Sequence, residues 1–265
     1  MNETLASCLL PTHDYDLAAT LTSGQAFRGV QSGPGWTGVL GRRWVRLESV
    51  KNGICAHTIG PVSDWSWASE YLRANENLDR ILGNFPDDEP MRRAVSACRG
   101  LRLLRQEPWE CLASFILSST KQIVQIRQVI GFLCERYGEP LKVPAGFPPT
   151  WAFPTAERLA STSERALRAC RMGFRAAYLL NAARQVAKGS LDLERVRALP
   201  LEAAREELMR LSGYVLPGAS DSEPGPNVGA ALFADLTDDE RDELLEYLAW
   251  YRTRRRTSRG AAAAS

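Results

Sequence analysis

Along residues 35–50, GWTGVLGRRWVRLESV, aromatic and β-branched positions alternate with polar ones, the period of a strand with one face buried. Gly41-Arg42 interrupts the run as a turn, and Asn52-Gly53 offers a second turn before Ile54, so an antiparallel meander is expected within the first 85 residues. From Asp87 onward the period lengthens. Pro108 suits a first helical position, and Trp109, Leu112, Ala113 and Ile116 then share one apolar face. The segment KQIVQIRQVIGFLCERYG repeats this at Ile123, Ile126, Ile130, Leu133 and Tyr137, with Gly138 as terminator. Further helices are expected at 155–161, 163–170, 173–188 (closed by Gly189) and 201–211. After Leu211 the pattern dissolves into SGYVLPGASDSEPGPNVG, rich in Gly, Pro and Ser. Thr237-Asp238-Asp239-Glu240 then reads as a capping box opening an amphipathic helix through Leu244, Leu245, Leu248 and Tyr251.

The division that follows is α+β: an antiparallel β-rich N-terminal domain over 1–85, a helical domain over 86–252 with irregular chain at 212–236, and a tail at 253–265. The end, YRTRRRTSRGAAAAS, carries five arginines and an alanine run, a composition expected to be disordered in isolation.

Composition narrows the function classes. The chain has 265 residues, 45% of them hydrophobic, enough for a real buried core. A formal charge of +2 gives no general basic coat, so any nucleic-acid surface is a local patch. No apolar run approaches the roughly 18 residues that span a bilayer. The start, MNETLASCLLPTHD, has no basic residue ahead of its short apolar stretch, unlike a secretory signal. Cys8, Cys55, Cys98, Cys111, Cys134 and Cys170 lack CxxC spacing, and the imidazoles are His13 and His57. An intracellular, membrane-free, monomeric protein with reduced thiols and no metal or cofactor is expected.

Three strings carry a resemblance: LTSGQAFRG (21–29), LRLLRQEPWECLASFILSSTKQIVQIRQ (101–128) and LRACRMGFRAAYLL (167–180). Together they resemble the 8-oxoguanine DNA glycosylases of the helix-hairpin-helix superfamily over about residues 5–211. The resemblance implies a small antiparallel β domain ahead of an all-helical body. It implies a base-excision repair enzyme that extrudes an oxidised purine from duplex DNA, at an unstacking cost of about a few kcal/mol. Gly24 would direct its carbonyl at the protonated N7 of 8-oxoguanine, a proton that guanine lacks. An acceptor buried without a donor costs about 1–3 kcal/mol, which is the source of discrimination. Phe174 stands where the family places an aromatic wedge beside the extruded base. Arg175 would reach the orphaned cytosine. Thr120 matches the first of the consecutive asparagines that animal members direct at that cytosine, and Gln125 falls where those members have an arginine. Lys121 is a candidate phosphate contact.

The resemblance is altered in the catalytic element. The superfamily hairpin reads Leu-Pro-Gly-Val-Gly and is followed by Pro-Lys-Val-Ala and, further on, an aspartate in a Pro-Val-Asp setting. By resemblance the lysine attacks the sugar C1′ and forms the Schiff base that permits strand cleavage at the abasic site. The aspartate stabilises the charge developing on the sugar. Here Leu216-Pro217-Gly218 opens the hairpin, with Gly218 a phosphate-binding candidate, but Asn227 occupies the lysine position and no lysine follows Lys188. A second alignment assigns Gly225–Gly229 to a Gly-Pro-x-x-Gly turn near the family's C-terminus. Asp235, Asp238 and Asp239 are candidate carboxylates, although acids in a first helical turn also complement the helix dipole. Three functional readings follow: a glycosylase with a displaced catalytic group, a non-catalytic DNA-lesion-binding protein, and an alkylpurine DNA glycosylase, which needs the aspartate but no lysine.

Overall fold

The computed structural model describes residues 4–118 and 122–211. Five strands, β1 (Leu5–Pro11), β2 (Val30–Ser32), β3 (Gly35–Leu40), β4 (Arg43–Val50) and β5 (Gly53–Ile59), form one antiparallel sheet in the order β1-β5-β4-β3-β2. The Gly41-Arg42 turn falls between strands as expected, with Leu40 paired to Arg43; the second turn lies one residue earlier than expected, at Lys51-Asn52, because Gly53 already pairs with Val50 as the first residue of β5. Within the string read as alternating, β4 buries Trp44, Val45 and Leu47; β5, outside that string, alternates cleanly, with Ile54, Ala56 and Thr58 buried while Cys55 and His57 on the other face are half-buried.

The inward face of the sheet is closed by helices that lie inside the segment read as β-rich. Helix α1 (Leu17–Thr22) contributes Leu17 and Leu21, and α2 (Ser66–Leu72) contributes Ala68 and Leu72, to a core with Leu10, Val45, Leu47, Ile54 and Leu104. Helix α3 (Leu78–Leu82) follows. These helices have seven residues or fewer, two turns at most, too short for a 3.6-residue period to show in the sequence. Helix α4 (Glu89–Ala97) is capped by Asp88 but buries no residue.

The second core is helical. Helix α5 (Pro108–Ser118) buries Trp109, Leu112, Ala113, Ile116 and Leu117, and α6 (Ile123–Tyr137) buries Ile126, Val129, Ile130, Leu133 and Cys134. Of the expected α6 face, Ile123 is 44% exposed, because it projects at the first turn beyond the core. Gly138 does terminate α6, though at φ −78°, not in the left-handed conformation usual for such caps. Its requirement is space: a Cβ there would collide with the carbonyl oxygens of Ala152 and Cys134. Two short strands, β6 (Pro140–Leu141) and β7 (Thr150–Trp151), pair before α7 (Ala156–Ala160).

The helix expected over 163–170 breaks. Helix α8 (Glu164–Leu167) runs into a π-helical turn, Arg168–Met172, in which Arg171 adopts φ 62°. Helix α9 (Arg175–Ala187) restarts after Gly173 and packs Ala176, Leu179, Leu180, Ala182 and Ala183 into the helical core. Helix α10 (Leu193–Ala198), six residues that periodicity did not reveal, is capped by Asp192; α11 (Leu201–Met209) ends the described chain.

Candidate nucleic-acid interface

Gly24 lies in the turn that leaves α1, between Ser23 and Gln25, with φ 85°. That region of backbone space is open to glycine and costs an L-residue about 1–2 kcal/mol. A Cβ at Gly24 would come within 3.5 Å of Ile123 Cδ1, so the turn sits against the first residue of α6. This contact joins the LTSGQAFRG string to the SSTKQIVQ string, 99 positions apart in sequence.

The turn is held from below. The Gln25 amide donates to the Arg102 carbonyl at 2.8 Å, and its oxygen accepts from the Leu104 amide at 2.7 Å. The Arg102 amide donates to Thr20 Oγ1 at 3.1 Å, and its guanidinium, in a residue only 4% exposed, donates to the carbonyls of His13 and Asp14. Arg28 donates to Glu110 Oε2 at 3.2 Å and to the Trp151 carbonyl, tying the same string to α5 and β7. Burial pushes the Glu110 carboxyl above its ordinary value, and the Arg28 charge and hydrogen bond oppose that shift without overcoming it. None of Gln25, Arg28, Arg102 or Glu110 stood out as a site residue in the sequence. All four lie inside the matched strings, but their type alone does not separate a buried clamp from a solvated side chain.

Phe174 is the N-cap residue of α9, placed by the π-turn and by Gly173 (φ 57°). Its half-buried ring meets Tyr178 edge-on, with centroids 6.0 Å apart. The Arg175 guanidinium lies 4.5 Å from the Phe174 centroid, and Arg175 is 3% exposed. Sequence reading had Arg175 reaching an orphaned cytosine; in this conformation its guanidinium packs against the Phe174 ring. Three residues before Phe174, Arg171 stacks over Phe132 of α6 at 5.3 Å. Both Gly24 and the Phe174 turn are thus referenced to one helix, α6, at residues 123 and 132, about 13 Å apart along its axis.

Gln125 is third in α6 and works as a cap: its Oε1 accepts from the Gln122 amide at 3.0 Å, completing a reciprocal pair with the Gln122 side chain. That employment accounts for a polar residue there without any base contact. Thr120, Lys121, Gly218, Asn227, Asp235, Asp238 and Asp239 lie outside the described residues.

A cleft elsewhere on the described residues has a different character. A cavity of about 520 Å³ opens between the starts of α5, α7 and α10, and neither Gly24 nor Phe174 lines it. Its wall carries Glu107, Glu157, Asp192 and Glu194, which would repel phosphates. No group of three or more His, Cys, Asp or Glu among the described residues could hold a metal ion. Burial raises the thiols of Cys55, Cys111 and Cys170 and pushes Cys134 to about 11, so none of these four is an activated nucleophile. No described helix is long and apolar enough to cross a membrane.

Comparisons with known proteins converge on one family. Residues 7–112 match the family model of the 8-oxoguanine DNA glycosylase N-terminal domain. An N-glycosylase/DNA lyase of Saccharomyces cerevisiae is 35% identical over 120 residues, covering 44% of this chain and 31% of the relative. N-glycosylase/DNA lyase OGG1 of Arabidopsis thaliana is 29% identical over 233 residues, covering 83% of this chain and 60% of the relative. The chain therefore spans less than two thirds of the length of either. Among solved structures, the Clostridium acetobutylicum 8-oxoguanine glycosylase/lyase bound to duplex DNA with cytosine opposite 8-oxoG superposes with a TM-score of 0.71. That match is 25% identical and covers 81% of this chain and 76% of the other.

Proposed function

We propose that the chain is a member of the 8-oxoguanine DNA glycosylase family, that it recognises 8-oxoguanine in duplex DNA and that it acts in base-excision repair. The observation that carries the reading is the Gly24 turn, a positive-φ glycine followed by Gln25, whose side chain is bonded to Arg102 and Leu104, and set against the start of α6. A rigid turn suits lesion reading, because a carbonyl free to rotate would pair with water or with a passing donor and lose its selectivity. Phe174, at the head of α9, is the wedge that fills the stack as the base leaves. The arginines of the 253–265 tail add affinity through the phosphate backbone. The protein acts on DNA as a monomer without a cofactor.

Excision itself depends on the chain beyond Leu211. A second reading, lesion binding without strand cleavage, is favoured by Asn227, since an amide nitrogen cannot form the Schiff base that the family's lysine forms. One experiment separates the two. The purified chain is incubated with a duplex holding 8-oxoguanine opposite cytosine, with borohydride in a parallel tube, and free base and abasic sites are counted. Base release with a trapped adduct identifies a displaced amine. Release without an adduct identifies a water mechanism. Lesion-selective binding without release establishes the second reading, and no selectivity by either assay overturns both. Phe174→Ala is expected to weaken binding to the lesion duplex about tenfold, the worth of one base–aromatic stack. Gel-shift titration against Tyr178→Ala, whose ring lies behind the wedge, checks it.

A further inference from the structure

The family assignment gives Gly24 a role but leaves open what fixes a glycine, the residue least able to fix itself. Its φ of 85° is one of many conformations that a residue without Cβ can adopt. The answer is in the next side chain. Gln25 places its amide edge along the extended segment 102–104 as a third strand would: Nε2 donates to the Arg102 carbonyl at 2.8 Å and Oε1 accepts from the Leu104 amide at 2.7 Å. The same Nε2 turns back to Ser23 Oγ at 2.9 Å and the Thr20 carbonyl at 3.3 Å, closing a ring around Gly24. The orientation of the amide is not free. With nitrogen and oxygen exchanged, two N–H donors would face each other at Leu104 and two acceptors at Arg102. The segment it grips is itself immobile, because the Arg102 guanidinium is bound to the His13 and Asp14 carbonyls and lies 5.1 Å from the Tyr15 ring centroid.

We propose that Gln25 is a positioning residue for lesion discrimination: its side-chain amide, clamped to residues 102–104, sets the plane of the peptide that carries the Gly24 carbonyl. The peptide between Gly24 and Gln25 is strung between two anchored points, the end of α1 at Ser23 and the clamped Gln25. Release of the second anchor leaves the Gly24 carbonyl able to rotate through the open backbone space of glycine. Guanine and 8-oxoguanine then meet the same adaptable group, and the protein still binds DNA but no longer chooses. The inference rests on the lesion-reading role of Gly24 argued above.

The test measures affinity of the full chain for 8-oxoguanine:cytosine and guanine:cytosine duplexes by fluorescence anisotropy and reads their ratio. The wild-type ratio is expected at about tenfold or more. Gln25→Leu is expected to bring it to within about twofold of unity, with guanine-duplex affinity nearly unchanged. Gln25→Glu discriminates by chemistry, not by size. As a carboxylate, near pH 7.5, it opposes the Arg102 carbonyl and the ratio collapses. On protonation toward about pH 5.5 it regains an O–H donor for Arg102 and an acceptor for Leu104, and the ratio recovers. A merely structural role would not return with a proton. Thr20→Val removes a different bond of the same seam, from the Arg102 amide to Thr20 Oγ1, and is expected to keep the ratio. A folded Gln25→Leu variant with the full ratio overturns the proposal, as does an equal loss in Thr20→Val. If Gln25→Leu does not fold, the pH series on Gln25→Glu decides: a ratio indifferent to pH overturns it. A wild-type ratio of one removes the lesion-reading role as well, an outcome distinct from every variant result.

Discussion

Glu110→Ala is expected to cost about 3 kcal/mol of folding stability, read as a shift in the urea midpoint at unchanged slope. The carboxylate and the Arg28 guanidinium it pairs with at 3.2 Å have side chains only 17% and 10% exposed. Removing one partner leaves the other charge in a poorly hydrated site, and that penalty exceeds what the pair itself contributes. The direction of the Glu110 shift makes the same point. Burial raises the carboxyl above 4.5 more than Arg28 lowers it, so desolvation outweighs attraction. Replacing both partners together, Arg28→Met with Glu110→Leu, is therefore expected to be close to neutral, a non-additivity that a double-mutant cycle measures directly. The pH dependence has a definite sign. Between 4.5 and its raised native value Glu110 holds a proton that the unfolded chain releases, so its contribution to stability is greatest below that window and declines as pH rises through it. The double variant loses this slope. A wild-type slope of opposite sign in the window, absent from the double variant, would refute the assignment.

Gly24→Ala is expected to fold and to lose the preference for 8-oxoguanine, about tenfold or more in relative affinity, while binding undamaged duplex as before. The added methyl finds ordinary van der Waals room, 3.5 Å from Ile123 Cδ1, so no clash accompanies it. The strain is in the backbone, where an L-residue at φ 85° costs about 1–2 kcal/mol. The turn relieves that strain by rotating toward negative φ, and rotation carries the carbonyl away from the base. Stability is expected to fall by no more than that strain, because the clamp at Gln25 and the core beneath α1 stay in place. An alanine variant with undiminished lesion preference would show that some other group reads the base. Thermal melts run beside the binding titrations distinguish a lost carbonyl from a lost fold.

The long elements of this fold were legible because each has a period long enough to count. Trp109, Leu112, Ala113 and Ile116 mark α5 without help from any neighbour, and the alternation around Trp44, Val45 and Leu47 marks β4. Helices α1, α2, α3 and α10 were not legible, since one to two turns give too few positions for a phase, and their order comes from caps such as Asp16 and Asp192 and from tertiary packing. The break at Arg168–Met172, where Arg171 is left-handed, was hidden because its residues include no glycine or proline to mark it. At the site, Gly24 and Phe174 could be picked out by the strings around them. Arg102, Gln25 and the Arg28–Glu110 pair could not, because burial of a polar side chain is a property of what packs on it and leaves no pattern of its own.

Helix α4 carries a consequence for how the molecule opens. Asp88 caps it and Arg92 pairs with Asp87 and Glu89 along its surface, but none of its residues is buried in either core. Its order is local, held by contacts of a few tenths of a kcal/mol each. It therefore forms a separate low-energy unit of unfolding, able to fray and re-form many times while the sheet and the helical body stay closed. Two residues beyond Cys98, which caps its C-terminus, the Gly100 carbonyl accepts from the Asp16 amide at 2.8 Å and the clamped seam begins. The chain passes within those few residues from a helix without a buried residue to a hydrogen-bonded junction, so fraying of α4 stops short of the turn that carries Gly24.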